Sequence, residues 1–430
     1  MRAPFPTTVQ IGQIPRIRLR GARPLAIALL SFLTTMAALE IGFRLMPQFI
    51  PLEACRSSLT LAHAYCENAF RVYDRPLRLG YTFKPGYTYD GRWNPADPNV
   101  INARDATCGD IPDHTFHYVV RADDHGFVGN ESPWRDHYDI VITGDSFTGN
   151  FAPVWWIDLL GQQTGMSVLN LGMEGWGPLS QVEAVRQYGL DKSPRWVVMT
   201  YFEGNDLFEV GEYTRRRESG LDWRTYQLHL VSPPERLIMP HMLRFWAESL
   251  WHMVDPEPKI CRFPMTVSTN VHRFETVFFH THIAQLSWSR ERILASWEWQ
   301  RATQAILALR DEVEAQGARF LLVFVPAKEH LYWSRIWDPV DIGHFLELTV
   351  PLLSYQEFTE IVDDQMELVE EFAAANNIRL LNLTGEMWRR TMLEGIEFYN
   401  YSDPHWNEAG NRLVAQLIAR TILEAEREGS

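Results

Sequence analysis

Four polar blocks stand out in the chain: Gly144-Asp145-Ser146-Phe147, Asn170 to Gly175, Glu203-Gly204-Asn205-Asp206, and Tyr401-Ser402-Asp403-Pro404-His405-Trp406-Asn407. A serine hydroxyl is a poor nucleophile until a base takes its proton, and His405 is the candidate base for Ser146. Asp403, two residues before His405, can accept the imidazole Nδ1–H, fix the tautomer and stabilise the imidazolium that forms. A tetrahedral oxyanion needs donors already aimed at it. The backbone N–H groups of Ser146 and Gly175 and the side-chain amide of Asn205 are the three candidates. At Gly175 the missing Cβ lets backbone come close to a reacting centre. This set performs acyl transfer through an acyl-enzyme and calls for no cofactor and no metal. Taken singly, each block has a plain reading as a strand-end turn or a helix cap. The functional reading rests on all four occurring together.

Chemistry from four distant blocks needs elements that bring them to one place. Each block follows a short apolar run of the kind that forms a buried strand. The runs are Tyr138–Thr143, Ser167–Leu171, Trp196–Phe202, Ala318–Val325 and Arg379–Leu383. Helical stretches are expected near Ala152–Thr164, Leu179–Leu190, Arg290–Gln316, Thr359–Asn376 and Glu408–Glu428. Five such runs separated by helices imply a parallel sheet covered on both faces. The expected fold is a three-layer α/β/α domain with a five-stranded, flavodoxin-like sheet, and its carboxyl edge is where ligands bind. Lys328-Glu329-His330 follows the fourth run and borders the same edge, either touching a substrate or forming a solvated loop. Asp145 is expected to bond within its own turn, and Glu203 to a neighbouring loop. His280 with His282, and His114 with His117, lack the third ligand of a metal site.

The rest of the 430 residues frames this domain. Residues 1–23 carry five arginines and no acidic residue, and an uncharged stretch from Pro24 to Leu39 follows. Extended to Met46, it is long enough to cross a bilayer. The arginines place residues 1–23 in the cytoplasm and everything after the span outside. A cleaved signal peptide is the rival, but no small-x-small cleavage site followed by polar chain is evident. Residues 24–46 are therefore expected to be a single-pass anchor, and 47–136 an irregular pre-domain with short hairpins or edge strands. The main domain is expected over 137–428, with a surplus of chain at 209–288 that is a lid, a substrate-binding insertion or a structural appendage. Cys55, Cys66, Cys108 and Cys261 would lie in an oxidising compartment, where Cys55 and Cys66 can pair. Sixteen Trp can line a sugar or acyl groove, although packing is the commoner use. The net charge of −14 argues against nucleic acid as a partner.

The four blocks resemble those of the SGNH (GDSL) hydrolases. The resemblance runs from about Asp139 to Leu413 and leaves the long insertion unmatched. It implies Ser146 as nucleophile and Gly175 and Asn205 as oxyanion donors. It also implies esters of lipids, sugars or small acyl compounds as substrates, or acetyl transfer on polysaccharides, without a metal. Glu40 and Arg44 in the apolar segment, Gly80 to Gly86, and Gly126-Phe127 are similar to features of anchored bacterial relatives. Two departures bear on the site. The family usually places two residues between the acid and the histidine, whereas only Pro404 separates Asp403 from His405. Gly204 and Asn205 also lack the residue that normally lies between them. The string Asp403-Pro404-His405-Trp406 is similar to one in alginate O-acetyltransferase-like proteins, which carry it before their serine.

The expected activity is a serine-dependent ester hydrolase outside the cytoplasmic membrane, acting on an acylated small molecule, lipid or polysaccharide. The alternatives are a polysaccharide O-acetyltransferase using the same triad, and a non-catalytic carbohydrate-binding envelope component.

Overall fold

A computed structural model describes residues 22–46, 49–51, 54, 72–74, 78–93, 116–149, 154–221, 225–226, 236–254, 264–337, 346, 350, 353–401 and 403–428. All four cysteines, His114 and nearly all of the basic N-terminal segment lie outside these residues.

The five expected strands form one parallel sheet: β1 (Ile140–Thr143), β2 (Val168–Asn170), β3 (Trp196–Phe202), β4 (Arg319–Val325) and β5 (Arg379–Asn382). Their spatial order is β5-β4-β3-β1-β2, with β3 in register against β4 from Trp196↔Arg319 to Phe202↔Val325. This is the flavodoxin-like order, in which the chain reverses direction across the sheet between β1 and β3.

Alternate residues of each strand enter different cores, as a period of two requires. Ile140, Ile142, Val198, Leu321 and Val323 pack on one face with Val414, Ile418 and Ile422 of the last helix, Glu408–Glu428. Val141, Val197, Met199, Leu322 and Phe324 pack on the other with Leu309 and Val313 of the helix Trp297–Ala315. Both sheet faces are thus covered, and the three expected layers are present.

Helix boundaries differ from the sequence reading where serines intervene. The stretch expected to be continuous from Arg290 to Gln316 breaks at Ser296, whose extended backbone and side-chain bond to the Trp299 N–H start a new helix. The stretch expected from Thr359 starts earlier, at Tyr355, because Ser354 and Glu357 form a reciprocal capping box. It stops at Ile361 and resumes at Asp364. The Leu179–Leu190 stretch is helical over Pro178–Ala184 and then widens into a π turn, Val185–Gly189.

Ahead of the sheet, Val72–Asp74 pairs with Tyr81–Phe83 and Thr88–Trp93 with Phe116–Arg121, both antiparallel. The Asp123 carboxylate draws the following loop together, accepting from the backbone N–H of His125 and Phe127, the Asn130 amide and the Trp134 indole. Past β3, the described part of the long insertion has a helix, Ile238–Val254, and a hairpin, Pro264–Ser268 with Arg273–Val277. A helix at Ala22–Leu45 contains a 20-residue apolar span, Ala26–Leu45, long enough to cross a bilayer by length and composition. Tryptophan serves mostly as packing in this fold: Trp156, Trp176, Trp196, Trp333 and Trp406 are fully buried.

Candidate active site

The serine turn is built from close approaches that only glycine permits. A Cβ on Gly144 would lie 1.9 Å from Thr200 Oγ1, and one on Gly172 would lie 1.6 Å from Thr148 Oγ1. With both positions bare, the chain leaves β1, turns at Asp145 and enters a single 3₁₀ turn, Ser146–Thr148. Asp145 is buried and bonds within this turn as expected. Its Oδ1 accepts from the Phe147 N–H at 3.0 Å and its carbonyl from the Thr148 hydroxyl at 2.6 Å. Burial pushes the Asp145 carboxyl up to about 6, against the Phe147 N–H and the nearby His405, which pull it down. Ser146 itself is half-buried. Asn170 fastens the turn to its surroundings: its amide donates to the carbonyls of Thr148 and Val128, and its Oδ1 accepts from the Gly172 N–H at 2.9 Å.

Phe147 carries the turn to the C-terminal loop. Its ring lies 5.1 Å from the His405 ring, 4.7 Å from Trp406 and 4.6 Å from Phe202, centroid to centroid. A small cleft opens there, lined by Ser146, Phe147, Gly149, His405, Trp406 and Asn411. Nucleophile and base candidates therefore share one cleft, at the carboxyl end of the strand where the sheet order reverses.

The single residue between Asp403 and His405 has a geometric explanation. Asp403 Oδ1 accepts both the backbone N–H of His405, at 2.8 Å, and its Nδ1–H, at 2.7 Å. The carboxylate closes a tight Asx-type turn and orients the ring with the same oxygen, so a shorter loop serves. Burial pushes the Asp403 carboxyl up, but the His405 charge and both hydrogen bonds, helped by Lys328, hold it below the usual range. Burial pushes the His405 imidazolium down, and the Asp403 charge outweighs this to leave it raised. With Nδ1 committed to Asp403, Nε2 is the nitrogen through which His405 can move a proton.

The loop is gripped by a residue that the sequence places at this edge, as a substrate contact or part of a solvated loop. Lys328 is fully buried, and its ammonium donates to the carbonyls of Asn400 at 3.2 Å, Tyr401 at 3.1 Å and Asp403 at 3.1 Å. Three carbonyls satisfy the three donors of an ammonium. The insertion hairpin adds two more bonds to the Tyr401 carbonyl, from the Val277 N–H at 2.8 Å and the Thr276 hydroxyl at 3.1 Å. Lys328-Glu329-His330 is thus neither a solvated loop nor a substrate contact, since all three side chains are spent inside the protein. Glu329 pairs with His282 at 3.0 Å. His330 sits between Glu203 and Asp363, at 2.8 and 2.6 Å, and Glu203 also accepts from the Ala327 N–H. No sequence pattern signals the lysine clamp, because its acceptors are backbone groups more than seventy positions away.

Gly175 and Asn205 sit after β2 and β3, at the same edge as Ser146, but are not among the residues lining the cleft. Gly175 has φ +69°, and a Cβ there would lie 2.3 Å from the hydroxyl of Tyr81, which donates to the Glu174 carbonyl at 2.6 Å. The pre-domain strand thereby sets the loop that carries Gly175. Asn205 occupies the N-cap position of the helix Asp206–Ser219, yet its side chain makes no capping bond and its buried Oδ1 has no partner among the described residues. Capping therefore does not account for this asparagine.

No family model matches the chain. A curated protein described as "Probable alginate O-acetylase AlgJ", from Pseudomonas fluorescens, is 27% identical over 116 residues, 27% of this chain and 25% of that protein. The chain thus spans about a quarter of the length of that relative. Among solved structures, the chain is similar to GDSL-type lipases and acylhydrolases. They include a lipase/acylhydrolase from Enterococcus faecalis (14% identity, 66% of this chain and 94% of that one, TM-score 0.32). An acetyl xylan esterase gives 14% identity, 66% and 99% coverage and a TM-score of 0.33. A GDSL-like lipase from Bacteroides thetaiotaomicron gives 13%, 66% and 88%, and 0.32.

Proposed function

We propose that this chain is a membrane-anchored serine esterase working through an acyl-enzyme outside the cytoplasmic membrane. The observation that carries the reading is His405, held at Nδ1 by a buried Asp403, in the same cleft as Ser146. Ser146 Oγ attacks the ester carbonyl while His405 Nε2 takes its proton. The oxyanion that forms is received by the N–H groups of Ser146 and Gly175 and the amide of Asn205. The carbon–oxygen bond then breaks, the His405 proton goes to the leaving alcohol, and Ser146 carries the acyl group. Water enters, loses a proton to His405 and attacks the acyl carbon. The carboxylic acid departs and Ser146 regains its proton.

A polysaccharide O-acetyltransferase is the second reading, favoured by the similarity to a protein described as an alginate O-acetylase. In that case a sugar hydroxyl takes the place of water in the second step and nothing else changes. Retention of the anchor is supported by its use in the folded domain. Glu40 Oε2 accepts from the Met239 N–H at 2.9 Å, and Arg44 donates to the Arg236 carbonyl at 2.9 Å. The arginines of residues 1–23 set the orientation.

The test is to acid-quench the detergent-solubilised full chain during turnover of p-nitrophenyl acetate and to map the acetyl group by mass. The acetyl group is expected on the peptide carrying Ser146; its absence there, with turnover continuing, overturns the acyl-enzyme. Repeating the reaction with an oligosaccharide divides the two readings, since acetylated sugar formed at the expense of acetate selects the transferase.

A further inference from the structure

The insertion helix Ile238–Val254 starts against the apolar N-terminal helix. Its Met239 N–H is capped by Glu40, a carboxylate at the positive end of a helix dipole. One face, Ile238, Met239, Met242 and Phe245, packs with Met36 and Phe43 of the N-terminal helix. Met36 lies about 14 Å along that helix from Leu45, at about 1.5 Å per residue. That is roughly half of a hydrocarbon core of about 30 Å. If the N-terminal helix spans the bilayer, the insertion helix that packs with it cannot stand clear of the outer leaflet.

The adjoining face matches that placement. Leu243, Trp246, Ala247 and Leu250 follow the i, i+3, i+4, i+7 spacing of one helix stripe. Leu243, Trp246 and Leu250 are 43%, 38% and 58% exposed, and Leu237, just before the helix, is 42% exposed. A helix in water places polar residues on such a face. A helix at a membrane surface places leucine and tryptophan there, with tryptophan at headgroup level.

We infer that the helix Ile238–Val254 is a second membrane element, docked through Leu243, Trp246 and Leu250 in the outer leaflet of a phospholipid bilayer beside the anchor. This rests on the anchored reading of the N-terminal helix. The same insertion supplies Thr276 and Val277, which bond the Tyr401 carbonyl two residues before Asp403. The docked helix and the hairpin that bonds the loop of Asp403 and His405 thus belong to the same insertion.

The experiment places the full chain in vesicles of phosphatidylethanolamine and phosphatidylglycerol doped with a phospholipid carrying a diazirine on its acyl chain. The vesicles are irradiated and adducts are mapped by peptide mass. Adducts are expected on both the N-terminal helix and Leu243–Leu250, with those on the insertion helix lost in Leu243→Gln/Leu250→Gln while fluorophosphonate labelling of Ser146 persists. Adducts on the N-terminal helix alone overturn the docking and leave the anchored reading standing. Adducts on neither helix overturn both. A stable dimer that depends on Leu243 and Trp246, with no lipid adducts there, overturns the docking and assigns the face to a second copy.

Discussion

The turn that carries Ser146 is held by the sheet itself, whereas the loop that carries Asp403 and His405 is held by residues brought from other parts of the chain. The serine turn follows β1 directly, and its shape comes from local hydrogen bonds and two glycines pressed against threonines. The histidine loop hangs between β5 and the last helix, and its fixtures come from a lysine after β4 and a hairpin in the insertion. A nucleophile on a rigid element needs little support. A base on a loop must be given its rigidity by buried polar contacts, and these are costly to break one-sidedly.

That contrast can be broken by substitution, most strongly at the orienting acid. Asp403→Asn removes the acceptor that fixes the His405 tautomer, and kcat is expected to fall by about 10⁴-fold with the melting temperature little changed. Near-normal turnover would remove Asp403 from the machinery. On the sheet side, Asn205→Ala deletes a proposed oxyanion donor, with an expected loss of about 10²–10³-fold in kcat and a small change in KM. A KM effect alone would instead make Asn205 a substrate contact.

Lys328→Met tests the clamp directly. It removes a buried ammonium and its bonds to the carbonyls of Asn400 and Asp403, while the Tyr401 carbonyl keeps the Val277 N–H and the Thr276 hydroxyl, and kcat is expected to fall by about 10²-fold through misplacement of the base. Loss of its charge should also raise the Asp403 pKa and, by taking a cation away from the Asp403–His405 pair, favour the imidazolium, moving the acid limb of the kcat/KM profile to higher pH. A stability loss with an unshifted pH profile would make Lys328 structural only. In the unaltered protein that limb should lie above the ordinary imidazole value of about 6.5, because Asp403 raises the His405 pKa and only the neutral ring accepts the serine proton.

The smallest expected effect concerns His330, which stiffens the clamp's neighbourhood. Burial pushes its imidazolium down, but Glu203 and Asp363 more than reverse this and lift it to about 10. Protonation in the folded state is therefore favoured over the unfolded value of 6.5. The stability it contributes is complete below that value and lost as pH rises through about 10. The melting temperature should fall across this window in the unaltered protein and less so in His330→Gln.

The two regions also differ in how plainly they are written in the chain. Runs such as Trp196–Phe202 and Arg319–Val325 announce buried strands by their own composition, and their alternation into two cores follows from strand geometry. The serine turn comes with them, since glycine, aspartate and serine at a strand end can be read locally. Ser296 and Ser354, which break and start helices, are less visible, because a serine within a helical pattern announces its role only once its backbone is known to be extended. Lys328 is placed at the right edge by the sequence, but its role as a clamp is not visible. Its partners are carbonyls, which every residue type carries, and their convergence is a property of the folded chain. The short spacing between Asp403 and His405 reads as a departure in sequence and is explained by the turn that Asp403 itself closes.

The most direct test of the central claim is covalent labelling of the full chain, in detergent, with a fluorophosphonate probe. Labelling is expected on Ser146 of the unaltered protein and is expected to vanish in Ser146→Ala. Labelling that persists in Ser146→Ala, or a folded protein that takes no label, would contradict a serine nucleophile in this cleft.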